Sequence, residues 1–160
     1  MQRLCLSLED LRASLARANR YVLSFASGYD KWSLATGFDL SKLIQVVDFI
    51  NVMTYDYYAA WEAPSGCITG PPAPLYGGWW FLSENVDSTM KFYACTTQQI
   101  KKLNLGIPFY GRYWNNVPNL YFDPLHRAAV SANGGNCEGD AIAWRDIPTS
   151  WNLSKNEKSY

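Results

Sequence analysis

Apolar residues recur in short blocks along the chain, and their spacing indicates the type of each element. Leucines at helical spacing predict a helix over about residues 6–18, and the β-branched and aromatic run YVLSFAS at 21–27 predicts a strand after it. Asp39 is the predicted N-cap of a second helix. The next strand is predicted in VVDFINVMTYDYYAAWE, residues 46–62, where a nearly unbroken apolar run ends in polar residues. The first third of the chain therefore alternates helix and strand.

The same alternation continues further along the chain. Residues 28–39 are expected to form a loop, and the Gly and Pro content of residues 64–82 predicts another. A third helix is expected from about Asp87, followed by a third strand over LNLGIPFYG at 103–111. From residue 115 the pattern changes to Gly, Asn and short mixed runs, which are typical of a small separate α+β or β-rich element.

Strands that read as continuous apolar runs and alternate with helices indicate a parallel sheet covered on both faces. In such folds the functional side chains gather where the strands end. Three polar residues fall at predicted strand ends: Asp56, Tyr110 and Arg112. We therefore expect these three residues to lie at one end of the sheet.

Each of these residues also has a purely structural interpretation. Asp56 could cap a turn, since Asp is common in turns, and the nearby Met53 could be ordinary core. Tyr110 and Arg112 could be a structural ring and a surface cation.

Composition narrows the function classes. The 14 basic and 14 acidic residues balance, and no basic cluster points to nucleic acid or to an anionic membrane. No stretch approaches the roughly 18 consecutive apolar residues of a membrane span, and no signal peptide is visible.

Aromatic residues make up 16% of the chain, and many of them lie in loops. Flat rings of this kind either pack together or stack on sugars, and both alternatives stay open for Trp61, Trp79 and Trp80.

The cysteines and the single histidine give little sign of metal chemistry. Cys5, Cys67, Cys95 and Cys137 are widely spaced without a CxxC pair, so neither a zinc site nor any other metal or cofactor is expected. One or two disulfides are possible, and so are four thiols. His126 is expected at the surface, and the sequon at Asn152 would suit a secreted chain.

Two strand-end motifs carry a family resemblance. DFINVMTYDYYAAWE (48–62) and KLNLGIPFYGRYW (102–114) closely resemble the sixth and seventh strands of glycoside hydrolase family 18, which contains the chitinases and chitinase-like lectins. The motifs occur in the family's order, with the YVLSFAS strand in its expected place before them.

The resemblance implies a (β/α)8 TIM barrel, which typically takes about 250 residues. Only about strands 5–7 can be placed in this chain. The expected organisation is thus a partial barrel over residues 1–114, followed by part of a small α+β insertion domain over residues 115–160.

The resemblance also implies a sugar site for chitin or N-acetylglucosamine oligosaccharides, in a secreted protein without a cofactor. Tyr55 would hydrogen-bond the N-acetyl oxygen, Asp56 would orient the N-acetyl group, and Met53 would line the floor under the sugar. Tyr110 and Arg112 match the family's P-x-Y-G-R positions and would bring a ring and a cation.

Family 18 hydrolysis depends on a Glu in a D-x-x-D-x-D-x-E motif, and this motif is absent from the 160 residues. Glu9 and Asp10 lie on the predicted first helix and Glu62 lies in a loop, so none of them is a credible substitute. The family's eighth-strand tryptophan has no counterpart either. The resemblance therefore implies a partial chitinase-type chain that lacks its acid. The alternatives are a non-enzymatic chitin-binding lectin and a truncated gene product.

Overall fold

The computed structural model describes residues 2–15, 21–60, 67–77, 84–117 and 137–151. Its helices are α1 (Gln2–Leu15), α2 (Lys31–Gly37), α3 (Leu40–Val46) and α4 (Val86–Thr97). Its strands are β1 (Ser24–Ser27), β2 (Phe49–Val52), β3 (Leu103–Leu105), β4 (Tyr110–Trp114) and β5 (Gly139–Ala143). Single 3₁₀ turns cover Ile100–Lys102 and Trp144–Asp146. The described chain is therefore a mixed α/β structure.

The chain divides into two compact units. The first comprises residues 1–54 and 87–106, and the second comprises residues 55–86 and 107–160. The assignment of residues 115–160 to an insertion domain stays a prediction, because much of that stretch lies outside the described residues.

The first unit is built on a parallel three-stranded sheet in the order β1-β2-β3. Ser24 pairs with Phe49, and Ile50 pairs with Leu103, both in parallel register. The parallel arrangement expected from the sequence is thus confirmed, but the expected cover on both faces is not seen, because Ser24, Ala26 and Asn51 are exposed. The core of this unit consists of Leu34, Leu40, Leu43, Ile44, Val47, Ile50, Val52 and Tyr93.

Side-chain contacts fix the helices of this unit to the sheet. Asp39 caps α3 as predicted, and its carboxylate accepts from the backbone N–H of Lys42 at 3.2 Å. Arg12 of α1 donates to the Val46 carbonyl at 3.0 Å and forms an ion pair with Asp48 at 2.8 Å. The end of α3 and the start of β2 are therefore held by one arginine.

Two sequence expectations for this part of the chain are wrong. The expected loop at 28–39 contains helix α2, because Leu34 is only 3% exposed and its burial in the core favours the helical turn. The expected strand at 103–111 is two strands, β3 and β4, in different sheets. Pro108 lies between them, and proline has no N–H for a strand ladder and restricts the residue before it.

The second unit contains the antiparallel pair β4-β5, in which Tyr110 pairs with Ala143 and Arg112 pairs with Ala141. A disulfide joins Cys67 and Cys137 in this unit. Cys95 of α4, in the first unit, is an exposed thiol. The alternatives that the sequence left open for these three cysteines are thereby resolved.

Candidate functional site

Asp56, Tyr110 and Arg112 form one hydrogen-bonded cluster in the second unit, which we call the Asp56 cluster. The Tyr110 hydroxyl donates to Asp56 Oδ1 at 2.5 Å. The Arg112 guanidinium donates to the same oxygen from Nη2 at 2.6 Å and from Nε at 3.2 Å. The structure therefore brings the three predicted residues together. The expectation that all of them lie at an end of the parallel sheet is wrong, because Tyr110 and Arg112 lie on β4 of the antiparallel pair.

The strand geometry of β4 explains why Tyr110 and Arg112 act together. Residues two apart on a strand point to the same face, so both side chains leave β4 on one side. Their antiparallel partners on β5 are Ala143 and Ala141, which are small. The β5 partners of these two side chains therefore end at Cβ.

The backbone at Asp56 is unusual. Its φ of 65° lies in the left-handed region, which Asp tolerates better than most non-glycine residues. The buried residues Tyr57, Tyr58, Ala59 and Ala60 follow directly. Non-glycine residues keep such a conformation when the surrounding structure holds them in it. The orientation of the carboxylate is therefore set by its packed surroundings.

Burial and charge both affect the cluster. The Arg112 side chain is 8% exposed and the Asp56 side chain 26% exposed, so this ion pair is partly shielded from water. Burial is the main cause that raises the pKa of Tyr110, and the hydrogen bond and negative charge of Asp56 raise it further. Tyr110 consequently stays a neutral hydrogen-bond donor well above neutral pH.

Aromatic rings line the cluster. The Arg112 guanidinium carbon lies 5.3 Å from the centre of the Tyr110 ring, within the range of a cation–π contact. The Tyr55 ring meets the Tyr110 ring edge to face, with centroids 6.4 Å apart. The cluster thus combines an ion pair with two ring surfaces, which suits a ligand that has both hydroxyl groups and apolar faces.

The remaining site predictions have different outcomes. Met53 belongs to the first unit, where it is partly exposed and its N–H donates to the Ser27 carbonyl at 2.8 Å, and its role as a sugar floor stays a prediction. Outside the described residues lie Trp61, Glu62, Trp79, Trp80, His126 and Asn152.

Sequence reasoning missed two features of this site. It did not anticipate that Arg112 contacts Asp56 directly, because no local pattern links residues so far apart. It also left the Cys67–Cys137 pairing open, because no local pattern links two cysteines that are 70 residues apart.

The described part of the chain limits the chemistry further. No group of three or more His, Cys, Asp or Glu side chains within it could hold a metal ion. None of the helices seen in the described ranges is long and apolar enough to cross a membrane. The chemistry that the Asp56 cluster offers is hydrogen bonding, charge and ring contact.

Comparison with known proteins identifies the family. Residues 1–160 match the family model of glycosyl hydrolases family 18. Chitinase A1 of Niallia circulans is 27% identical over 152 residues, which cover 90% of this chain and 21% of that protein. Probable chitinase 10 of Drosophila melanogaster is 38% identical over 88 residues, which cover 54% of this chain and 4% of that protein.

A solved structure is also similar to this chain. A mutant of Ostrinia furnacalis Group II chitinase catalytic domain 2, in complex with penta-N-acetylchitooctaose, matches with a TM-score of 0.70 at 27% identity. The match covers 81% of this chain and 33% of that chain. The chain thus spans far less than two thirds of each of these relatives. From the family model, which matches the whole sequence, we conclude that the chain belongs to glycosyl hydrolases family 18.

Proposed function

We propose that this chain is part of a family 18 domain that binds chitin or related N-acetylglucosamine polymers through the Asp56 cluster. The observation that carries the proposal is the convergence of Tyr110 and Arg112 on one oxygen of Asp56. These residues come from the two motifs on which the family resemblance rests. A chitin chain presents hydroxyl groups, N-acetyl groups and apolar ring faces, which match the groups of this cluster.

Each residue has a proposed role that its geometry supports. Tyr55 is partly exposed next to Tyr110, and its hydroxyl would hydrogen-bond the N-acetyl oxygen. Asp56 would orient the N-acetyl group, held in place by Arg112. Arg112 suits this role because its planar fork is rigid and always charged. Met53 stays the predicted floor of the sugar site.

The proposal extends to the fold. The three parallel strands of the first unit would correspond to about strands 5–7 of a (β/α)8 barrel. The stretch from residue 115 on would be part of an insertion domain. We further propose a secreted protein, and the Cys67–Cys137 disulfide supports this because disulfides persist in oxidising compartments.

Hydrolysis of β-1,4 glycosidic bonds is proposed only for a polypeptide that also carries the D-x-x-D-x-D-x-E glutamate. In substrate-assisted hydrolysis the N-acetyl carbonyl is the nucleophile, so the protein must supply an acid for the leaving oxygen. These 160 residues do not contain that motif. The second candidate is a chitin-binding lectin that does not cleave its ligand. The residue at the acid position, Glu or another, distinguishes the two.

Binding is tested with N-acetylchitopentaose, and cellopentaose serves as the control ligand because it lacks N-acetyl groups. Calorimetry should detect binding of the first and weaker or no binding of the second. Arg112→Ala should abolish the difference, whereas the matched control Arg145→Ala should keep it because the Arg145 side chain is 88% exposed. Equal affinity for both sugars would overturn the proposal.

A further inference from the structure

The Cys67–Cys137 disulfide adjoins the elements that carry the Asp56 cluster. Cys137 is 5% exposed and lies just before β5, the strand paired with the β4 residues Tyr110 and Arg112. Cys67 begins the described loop 67–77, which follows the Asp56 segment in the sequence. The cross-link therefore connects this loop to the strand pair that carries the cluster.

The segment directly after Asp56 is held by both of the linked elements. On the loop side, the Tyr57 N–H donates to the Pro72 carbonyl at 3.1 Å, and Gly70 lies so close to the Tyr58 ring that a Cβ there would overlap it. On the strand side, a Cβ built on Gly139 of β5 would lie 3.0 Å from the Cβ of Ala60. Residues 57–60 thus have the loop on one side and β5 on another.

The backbone conformation of Asp56 depends on how residues 57–60 are packed. Its left-handed backbone is one that few side chains adopt unless neighbouring packing imposes it. A small rotation at this residue would move the carboxylate away from Tyr110 and Arg112, both of which reach the same oxygen. The hydrogen bonds of the cluster therefore depend on where residues 57–60 are held.

We infer that the Cys67–Cys137 disulfide is a positioning element for the Asp56 cluster. It holds loop 67–77 and the start of β5 on residues 57–60, and so fixes the Asp56 carboxylate against Tyr110 and Arg112. Its consequence for sugar affinity rests on the proposed function. Its consequence for the geometry of the cluster does not.

The experiment compares Cys67→Ser/Cys137→Ser with the parent chain. Cys95→Ser is the matched control, because it removes an exposed thiol in the first unit. The first reading is the ¹³Cζ resonance of Tyr110 at pH 7, which reports its hydrogen bond to Asp56 and is assigned by its loss in Tyr110→Phe. The second reading is the affinity for N-acetylchitopentaose. Circular dichroism confirms that each variant is folded.

The double variant should shift the Tyr110 resonance and weaken sugar binding about tenfold, within the range typical of coupled sites. Cys95→Ser should leave both unchanged. A folded double variant with an unchanged Tyr110 resonance would overturn the inference, whether or not its affinity falls. If the parent chain does not bind the sugar, the proposed function is refuted. If the double variant nevertheless shifts the Tyr110 resonance, the positioning role of the disulfide is upheld.

Loss of the cross-link could unfold the chain altogether. In that case the same readings are taken in trimethylamine N-oxide, which stabilises folded states generally without restoring the bond. If the refolded double variant then shows the parent's Tyr110 resonance, the disulfide contributes only global stability and the inference fails. A resonance that stays shifted in the refolded variant supports it.

Discussion

Arg112 Nη2 lies 2.6 Å from Asp56 Oδ1, and the arginine side chain is only 8% exposed. Two charges from segments far apart in the sequence therefore meet where water has limited access. Removing one partner from such a pair costs more than the pair itself contributes, because the other charge stays desolvated.

Asp56→Ala should therefore lower the free energy of unfolding by about 3 kcal/mol, the lower end for a buried pair, because the Asp56 side chain is 26% exposed. Asp56→Asn should cost less, since Asn keeps an acceptor oxygen and tolerates the left-handed backbone. Urea unfolding measures both. Asp146→Ala is the matched control, because its carboxylate is 60% exposed and pairs with Arg145 only at 3.6 Å, so its effect should stay within about 0.5 kcal/mol. Equal losses for the Ala variants of Asp56 and Asp146 would contradict the assignment.

The isolated chain should show no measurable chitinase turnover. A positioned acid typically contributes about 10²–10⁴-fold to such a reaction, and the family's acidic motif is missing from these residues. A fluorogenic chitobiose substrate provides the assay, and a complete family 18 chitinase is the positive control. Hydrolysis above blank that disappears in Asp56→Ala would show that an acid in this chain has been overlooked.

Tyr93 anchors the end of β1 from α4. Its hydroxyl oxygen lies 2.5 Å from Ser27 Oγ and 2.7 Å from the Gly28 carbonyl oxygen, and its ring is fully buried. Tyr93→Phe should lower the free energy of unfolding by about 1–3 kcal/mol, because buried polar groups lose a partner. Tyr21→Phe, at a side chain that is 57% exposed, should have almost no effect in the same urea titration. A similar small effect at both sites would be evidence against the anchor.

Stability should fall in alkaline solution. Burial raises the pKa of Tyr93 to about 12, and burial with the nearby Asp56 raises that of Tyr110 as well. In the unfolded chain tyrosine loses its proton near pH 10 while these two native residues keep theirs, so the unfolded state is favoured as pH rises further. The two tyrosines contribute their full stabilisation below about pH 10. This stabilisation is lost as the pH rises from about 10 to their native pKa values. Urea unfolding from pH 8 to pH 11 should show the decline, and Tyr93→Phe should flatten it. A decline of the same slope in that variant would exclude Tyr93 as a cause.

Gly139 opens β5 in contact with the neighbouring strand. A Cβ at this position would overlap the backbone carbonyl of Tyr113 and crowd Ala60. Gly139→Ala should therefore cost about 1–3 kcal/mol through overpacking. Gly28→Ala is the control, since nothing lies within 4 Å of a Cβ there. Thermal unfolding of both variants tests this, and a tolerated Gly139→Ala would mean that β5 can move away from β4.

Local patterns in the sequence were sufficient for the first two strands of the parallel sheet and for the cap of helix α3. The apolar runs that became β1 and β2 form parallel strands, and β2 carries the buried Ile50 and Val52. Asp39 caps α3 through an oxygen only three residues from its donor. Both features depend on neighbours along the chain, so they can be recognised without the fold. The two strand-end motifs also carried the family assignment, which the family model then confirmed.

The tertiary structure decided the features that depend on residues distant in sequence. Helix α2 forms because Leu34 packs into the core of the first unit. The disulfide joins cysteines that are 70 residues apart. The sequence placed Asp56, Tyr110 and Arg112 at strand ends. It could not show that Tyr110 and Arg112 both donate to the same oxygen of Asp56. Hydrogen bonds require positions accurate to a few tenths of an ångström, and only the packed β4-β5 pair and the buried residues after Asp56 supply that accuracy.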